Sequence, residues 1–398
     1  MRSERMLLLL LAAVQFTHIV DFMILMPLGP QMMRMWGLEP SQFNRLVSVY
    51  TVVAGLSGFL AAPWVDRFDR RRVLLWFYGA FVLAGLGCAA SRTPGALLVA
   101  RGFSGFAGGI AGTTVMAIVA DLVPAERRGA AMGILMTAFS AAAAMGVPLG
   151  LMLAQAFEWE SAFFALAGLA LVNWVLLWRC LPSVRGHLEV GGAGGFRRFV
   201  GLLRNANAGW GLVFMSTLVF GHFAIIPLLA SHLVGDLGLA EEKIPWVYLV
   251  GGVASSITGP WVGRLADRLG HRQVFTVLVC LAVPVTLGIA LPGRMPTWAV
   301  LALAGGYFVV ASGRFTPAQA ILSMAVSPRD RGAYMSLGSC VRDLAGGLSA
   351  TIGGAMVTRT TSGGLEHFDR LGWMAVAAAL ATLGLVGRIR RAEGPGRP

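Results

Sequence analysis

The sequence predicts an all-α membrane protein, with twelve transmembrane helices in two pseudo-symmetric six-helix bundles. Three observations carry that prediction. Of 398 residues, 56% are apolar or aromatic and only 13% are charged, against about 25% charged in an ordinary soluble domain. The apolar residues form continuous runs, as in Leu7–Val14 and Met374–Ala381, where a membrane β-barrel would show short alternating segments. Short polar patterns in the first half also recur in the second, Asp66-Arg67 reappearing as Asp267-Arg268.

At about 20 residues per span, twelve spans need about 240 residues and leave short loops. The first six lie near 6–28, 44–64, 73–92, 96–120, 130–154 and 161–181. The second six lie near 209–233, 245–265, 273–291, 297–326, 333–357 and 370–388. Arg2 and Arg5 precede an apolar run, as in a signal peptide. That run continues through Asp21 to Pro27 without a small-x-small cleavage site, which reads as an uncleaved first span. Between the halves, Pro182–Ala208 holds Gly191, Gly192, Gly194 and Gly195 with Arg197, Arg198 and Arg204. This is a flexible basic linker, and it divides the chain into 1–181, 182–208 and 209–398.

The net charge of +13 would suggest nucleic acid in a soluble protein; the apolar composition argues against that. Of the 32 basic residues, 22 fall at the termini, in the linker and in alternate loops beginning with 65–72. Seven (Arg34, Arg45, Arg92, Lys243, Arg294, Arg359, Arg370) fall on the opposite side and three inside spans. The positive-inside rule then puts both termini and the linker on the cytoplasmic face of a bacterial inner membrane. The basic face also suits acidic lipid headgroups. Cys88, Cys180, Cys280 and Cys340 are widely spaced in apolar runs and read as packing residues.

The repeat extends beyond Asp-Arg. Arg128-Gly129-Ala130 opens span 5 and Arg331-Gly332-Ala333 opens span 11, while Pro27-Leu28 and Pro227-Leu228 lie near the ends of spans 1 and 7. Six-helix units repeated in parallel about the membrane normal are a transporter architecture, with the site between the halves near mid-membrane.

At these loops the sequence resembles the major facilitator superfamily. The family's loop pattern between helices 2 and 3 is met in the second half by Gly263, Asp267, Arg268, Gly270 and Arg272. The first half keeps Asp66, Arg67, Arg70 and Arg71 but has Ala62 and Asp69 where the family has glycine. An Asp there can face a helix N-terminus and be bonded by neighbouring arginines. The resemblance implies a conformational latch favouring the outward-open state. Leu98–Gly105 resembles the family's helix-4 motif, which implies a proton-coupling role for Arg101. The glycines that follow at 105, 108, 109 and 112 permit close helix contact. Gly146-Val147-Pro148-Leu149-Gly150 resembles the relaxed antiporter motif of bacterial arabinose- or drug-efflux permeases, which implies export. Pro148 also removes a helical bond between two glycines, so a structural kink explains the motif equally well.

Five charges lie where lipid should forbid them: Asp21, Arg101, Arg314, Arg342 and Asp343. At roughly 2.5–3.5 kcal/mol each near mid-membrane, they should face the protein interior or a cavity. Gln15, His18 and Asp21 recur every three residues and form one polar stripe on span 1. Burial opposes charge on Asp21 and a nearby Arg101 supports it, the balance expected of a proton carrier. A permanent Asp–Arg pair is the alternative. Through the Pro-Leu pairs, Asp21 aligns with Gly221, so the acid is not duplicated. His222 follows it and titrates near neutral pH when unperturbed. In span 10, Pro317 cannot donate to the Gly313 carbonyl, and Arg314 lies in that gap. Arg342 and Asp343 are consecutive and point about 100° apart; a cross-helix network with Arg314 or Asp21 is expected. Three arginines against two aspartates leave the interior positive and suggest a solute that is anionic or carries an acidic group; a proton-independent structural network is the alternative.

There is no phosphate-binding Gly-x-x-x-x-Gly-Lys motif, and Lys243 is the only lysine, so ATP drive from this chain is not expected. No catalytic constellation, metal motif or cofactor motif emerges, and no enzyme is expected. The reading is a secondary transporter working as a monomer with a small-molecule solute, protons and membrane lipids. Proton-coupled efflux of a small organic solute or drug by alternating access leads. A proton-coupled importer or uniporter of a small metabolite, anionic ones included, is the first alternative, a non-transporting receptor or scaffold the second. Gln15, Arg314, Arg342, Asp343 and His222 are the expected cavity residues; Asp21, Arg101 and His18 are the expected coupling residues.

Overall fold

A computed structural model of the chain describes residues 2–65, 67–124, 127–185, 188, 201–291, 293–327, 330–361 and 363–391. Asp66 of the expected latch and the glycine-rich stretch 191–195 lie outside the described residues.

The first half comprises α1 (Arg2–Ile24), α2 (Gly29–Trp36), α3 (Pro40–Val65), α4 (Arg70–Ala89), α5 (Pro94–Leu122), α6 (Arg128–Ala141), α7 (Val147–Ala156) and α8 (Trp159–Cys180). The second comprises α9 (Ala206–Phe223), α10 (Ile226–Gly235), α11 (Ile244–Leu269), α12 (His271–Ala290), α13 (Thr297–Gly313), α14 (Phe315–Met324), α15 (Arg331–Met356) and α16 (Phe368–Arg388). Paired segments make the expected twelve crossings: α6 and α7 form one, as do α9 with α10 and α13 with α14. Among the described residues, ten of these carry a membrane-length window of high mean hydropathy with at most two charged residues. The other two, α11 and α15, are 26 residues each and long enough to cross, but serines, glycines and the Arg342-Asp343 pair lower their hydropathy.

The breaks have local causes. Pro27 and Pro227, at equivalent places in the repeat, lie at or just after the turns that follow α1 and α9. A π-helical turn, Ala142–Gly146, separates α6 from α7 directly before Pro148. Such turns absorb an extra residue and bend the axis. Arg314 interrupts α13 and α14 three residues before Pro317, at the expected kink.

One end of the molecule carries the start of α1 and the end of α16; we call it the proximal end, and the other the distal end. At the distal end a single core joins both halves. Leu25, Met32, Phe43 and Val47 pack in it with Ile225, Leu228, Leu229 and Leu371, all buried. Toward the proximal end the cores separate. One, including Leu11, Leu74, Ile118 and Leu177, is drawn from the first half. The other, including Phe214, Phe275, Ile321 and Tyr334, belongs to the second half, with Phe59 as the first-half residue packed against it.

The distal seam is also tied by polar contacts. Arg34 pairs with Glu241, Gln155 Nε2 donates to the Glu241 carbonyl at 3.0 Å, and Arg359 Nη1 donates to the Met33 carbonyl at 2.8 Å. Arg359 belongs to a small hairpin, β1 (Thr358–Arg359) with β2 (Leu365–Glu366), which the sequence pattern does not predict. Asp236 holds the hairpin by accepting from the Leu365 N–H at 2.9 Å and lies 2.6 Å from His232.

Candidate functional site

Close packing of α3 on α5 builds the centre of the first half. A Cβ on Gly105 would lie 2.3 Å from the Tyr50 carbonyl oxygen, and one on Gly109 would lie 2.4 Å from that of Ala54. Without side chains there, the two backbones approach and Tyr50 is pressed toward α1 and Arg101. The spaced glycines are therefore packing residues with a consequence for the site.

Arg101 is fully buried and Asp21 is 1% exposed. Arg101 Nη1 donates to Asp21 Oδ2 at 3.0 Å and to the Asp21 carbonyl at 2.8 Å. The guanidinium also lies over the Tyr50 ring, 4.3 Å from its centroid, where the π-face adds attraction for a cation. Tyr50 Oη sits 2.7 Å from His18 Nδ1 and 3.2 Å from the His18 carbonyl. The pair is not saturated, because Arg101 Nε and Nη2 are buried without acceptors. Gln15, one turn earlier, donates to the Gly112 carbonyl at 3.2 Å. The expected stripe is thus real, and its residues turn toward α3 and α5. Tyr50 is the member the sequence reading missed; its only signal was a phenol within an apolar run.

The second half is arranged differently. Arg314 is 5% exposed, and its Nε is buried without a hydrogen-bond partner. Among the described residues no carboxylate pairs with it. His222 Nδ1 is likewise unpartnered. The His222 ring lies parallel to Tyr307 at 6.1 Å and edge-on to Phe315 at 5.5 Å. Arg342 Nη2 donates to Ser339 Oγ at 2.6 Å. Asp343 faces α3, its Cβ 3.3 Å from where a Gly55 side chain would begin. The expected network joining Arg342 and Asp343 to Arg314 or Asp21 is not formed among the described residues. The reason is geometric: α15 packs along α3, which carries Asp343 to the interface between the halves and away from Arg314.

An aromatic bridge connects the two centres. Phe22 stacks on Tyr50 and on Phe223, at 5.6 Å each, and Phe223 meets the His222 ring at 5.7 Å. In the repeat Phe22 corresponds to His222 and Phe223 to Met23, so the stack across the halves joins neighbouring rather than equivalent positions.

Gly146 and Gly150 admit α1 against α7. Added Cβ atoms would lie 2.3 Å from Val20 Cγ2 and 2.7 Å from Ile24 Cδ1. Beside them Gly252 of α11 meets the Ala143 carbonyl, 2.3 Å from an added Cβ. The Gly-x-Pro-x-Gly segment therefore sits where α1, α7 and α11 converge.

In the loop pattern of the first half, Arg70 Nε pairs with Asp121 Oδ2 at 2.7 Å and Arg71 Nη2 donates to the Trp178 carbonyl at 2.6 Å; Arg67 is exposed. Asp69, the departure from glycine, caps α4 through the Arg71 N–H at 3.0 Å. It also accepts from Ser183 Oγ at 2.7 Å, the Val184 N–H at 3.0 Å and Arg185 Nε at 3.3 Å. Burial opposes its charge, but the bonds from Ser183, Val184, Arg71 and Arg185 prevail and hold its carboxyl below the usual range. In the second half Asp267 is exposed and lies 3.8 Å from His271, Arg268 is exposed, and Arg272 bonds the Ile389 carbonyl. Gly270 has φ +96°, a conformation that excludes most side chains. Gly263 has room for a methyl group, its nearest neighbour 3.6 Å away.

Comparison with known proteins agrees with this architecture. The sequence model described as Major Facilitator Superfamily matches residues 11–350 and 217–393. An uncharacterized MFS-type transporter, YbcL, of Bacillus subtilis (strain 168) is 23% identical over 93% of this chain and 94% of its own. A "Probable sugar efflux transporter" of Helicobacter pylori (strain P12) is 22% identical over 62% of each chain. The solved structure of a D-xylose-proton symporter superposes with a TM-score of 0.74 at 17% identity, covering 94% of this chain and 96% of that one. Glycine-spaced packing, the twelve-crossing repeat and a match over most of the sequence lead to one conclusion: the chain belongs to the major facilitator superfamily of membrane transporters, and is not an enzyme.

Proposed function

We propose that this transporter exports a small organic solute across a bacterial inner membrane in exchange for protons, by alternating access. The observation that carries the reading is the Asp21–Arg101 pair, desolvated between α1 and α5. An ion pair so deep gains little stability over an apolar replacement, and two unbonded nitrogens on Arg101 leave room for a second arrangement. A proton arriving at Asp21 removes the counter-charge of Arg101, which keeps its bond to the Asp21 carbonyl and its contact with Tyr50. The strained cation then favours movement of α1 against α5, and the aromatic bridge carries that movement to the second half. His18, bonded to Tyr50, is the relay on the same stripe.

The positive residues gathered at the proximal end support placing it in the cytoplasm. The joined distal core then closes the outer side, and the exposed Asp267 and Arg268 are an unfastened latch. Export rests on the efflux relative and on the Gly146, Pro148 and Gly150 segment beside the bend in α6–α7. One chain supplies both centres, so the working unit is the monomer, in contact with lipid.

The test uses purified protein in liposomes with a solute panel and recorded internal pH. Uphill solute movement opposite to an imposed proton gradient is expected. Movement in the same direction as protons would establish import, and solute movement indifferent to the gradient would remove proton coupling.

A further inference from the structure

Arg314 is buried almost as deeply as Arg101, yet nothing in the described structure neutralises it. A guanidinium stays protonated in proteins, so the charge is not relieved by losing a proton. The candidate internal acid, Asp343, lies on the α3 side of α15, near Tyr50 and Arg342. The narrow pocket beside Arg314, lined by Thr286, Tyr307 and Val310 among others, contains no carboxylate. The kink at Pro317 offers a carbonyl dipole at Gly313, which is polar but carries no charge. A buried unpaired cation is costly, and this one sits where two further features point to a ligand. His222 Nδ1, within electrostatic reach of Arg314, is a second buried polar atom without a partner. The rings of Tyr307, Phe315 and Phe223 all lie against the His222 ring and offer flat apolar faces.

We propose that Arg314 is the anion-recognising residue of the solute site and takes the carboxylate of an organic acid with a flat apolar body. Its planar fork matches two carboxylate oxygens, His222 supplies the second polar contact, and the three aromatic rings pack against the body of the solute. The proposal rests on the transporter reading for its use, since a cargo is what would arrive there. The binding itself is independent of proton coupling or direction.

The test is thermal unfolding of the full-length protein in detergent at constant ionic strength. It is titrated with sodium benzoate, with its neutral counterpart benzamide, and with sodium chloride. Benzoate is expected to raise the melting temperature saturably and to bind at least about tenfold more tightly than benzamide, as a charge-assisted pair should. Chloride should give no saturable shift. R314Q is expected to lose the benzoate shift, and R314K, which keeps the charge but not the fork, to weaken it. D21N should retain it. Equal shifts from benzoate and benzamide, no shift from either, or an undiminished benzoate shift in R314Q or R314K would overturn the proposal. Benzoate binding that survives in a protein insensitive to proton gradients would overturn only the coupling. Proton-driven transport without carboxylate selectivity would overturn only this inference.

Discussion

The two halves each bury an arginine at the corresponding crossing, the fourth and the tenth, but treat it in opposite ways. Arg101 has Asp21 at 3.0 Å and the Tyr50 ring at 4.3 Å. Arg314 has His222 and aromatic rings nearby, and no carboxylate among the described residues. Where the first half places Asp21, the repeat gives the second half Gly221. A fold repeated for packing has thus been divided chemically. The first half closes its own charge, and the second leaves a charge for something else to close.

The largest effect should come from breaking the closed side. D21A leaves Arg101 buried and uncompensated, which should cost about 3–5 kcal/mol, read by unfolding in detergent. A loss below about 1 kcal/mol would show that Arg101 is stabilised by other groups. G105A should be next. Its methyl would meet the Tyr50 carbonyl at 2.3 Å, so α3 and α5 must separate at about 1–3 kcal/mol. G168A, on an exposed face with no atom within 4 Å, is the control, expected to be neutral or slightly stabilising. Equal destabilisation by both would mean that close approach of α3 and α5 is not what positions Tyr50.

The open side should respond with the opposite sign. R314Q removes an unpaired charge and should leave the solute-free protein equally stable or more stable by about 1–3 kcal/mol. A substantial loss in the same unfolding assay would reveal a hidden partner and erase the asymmetry between the halves.

The smallest effect concerns the loops, where Asp69 and Gly270 hold the same place in the repeat. D69N should cost about 1–2 kcal/mol at pH 7, because its hydrogen bonds are charge-assisted. The sign with pH follows from the depressed value of Asp69. Its contribution is complete above the unfolded Asp value of about 4 and is lost as pH falls through the lower folded value. The gap between wild type and D69N should therefore close below pH 4, as followed by thermal unfolding. A gap that persists there would assign the effect to packing.

Much of this was legible because membranes impose strong local rules. Run length gave the crossings, and the recurrence of Asp-Arg and Pro-Leu gave the repeat. The Gln15, His18 and Asp21 stripe followed from spacing along one helix. Arg101 was singled out by burial cost and by resemblance. What stayed hidden depends on partners far along the chain. Asp69 looked like a flaw in a glycine pattern until Val184 and Ser183 came to it. Tyr50 became part of the site only through Gly105 and Gly108 on another helix. The Arg342-Asp343 pair misled because its composition suggested a charge network, whereas α15 is held along α3 by glycines. Added Cβ atoms on Gly347 and Gly354 would lie 2.5 Å from Val52 Cγ2 and 2.7 Å from Asn44 Cβ, and Asn44 Nδ2 also donates to the Ala350 carbonyl at 2.7 Å.

The central claim is that Asp21 carries the proton and Arg314 the solute. It is tested most directly by solute flux in liposomes under an imposed pH gradient and, separately, under solute exchange with no gradient. The account predicts that D21N, which keeps an oxygen for Arg101, abolishes uphill movement but retains exchange, whereas R314Q abolishes both. Uphill transport surviving in D21N would contradict it.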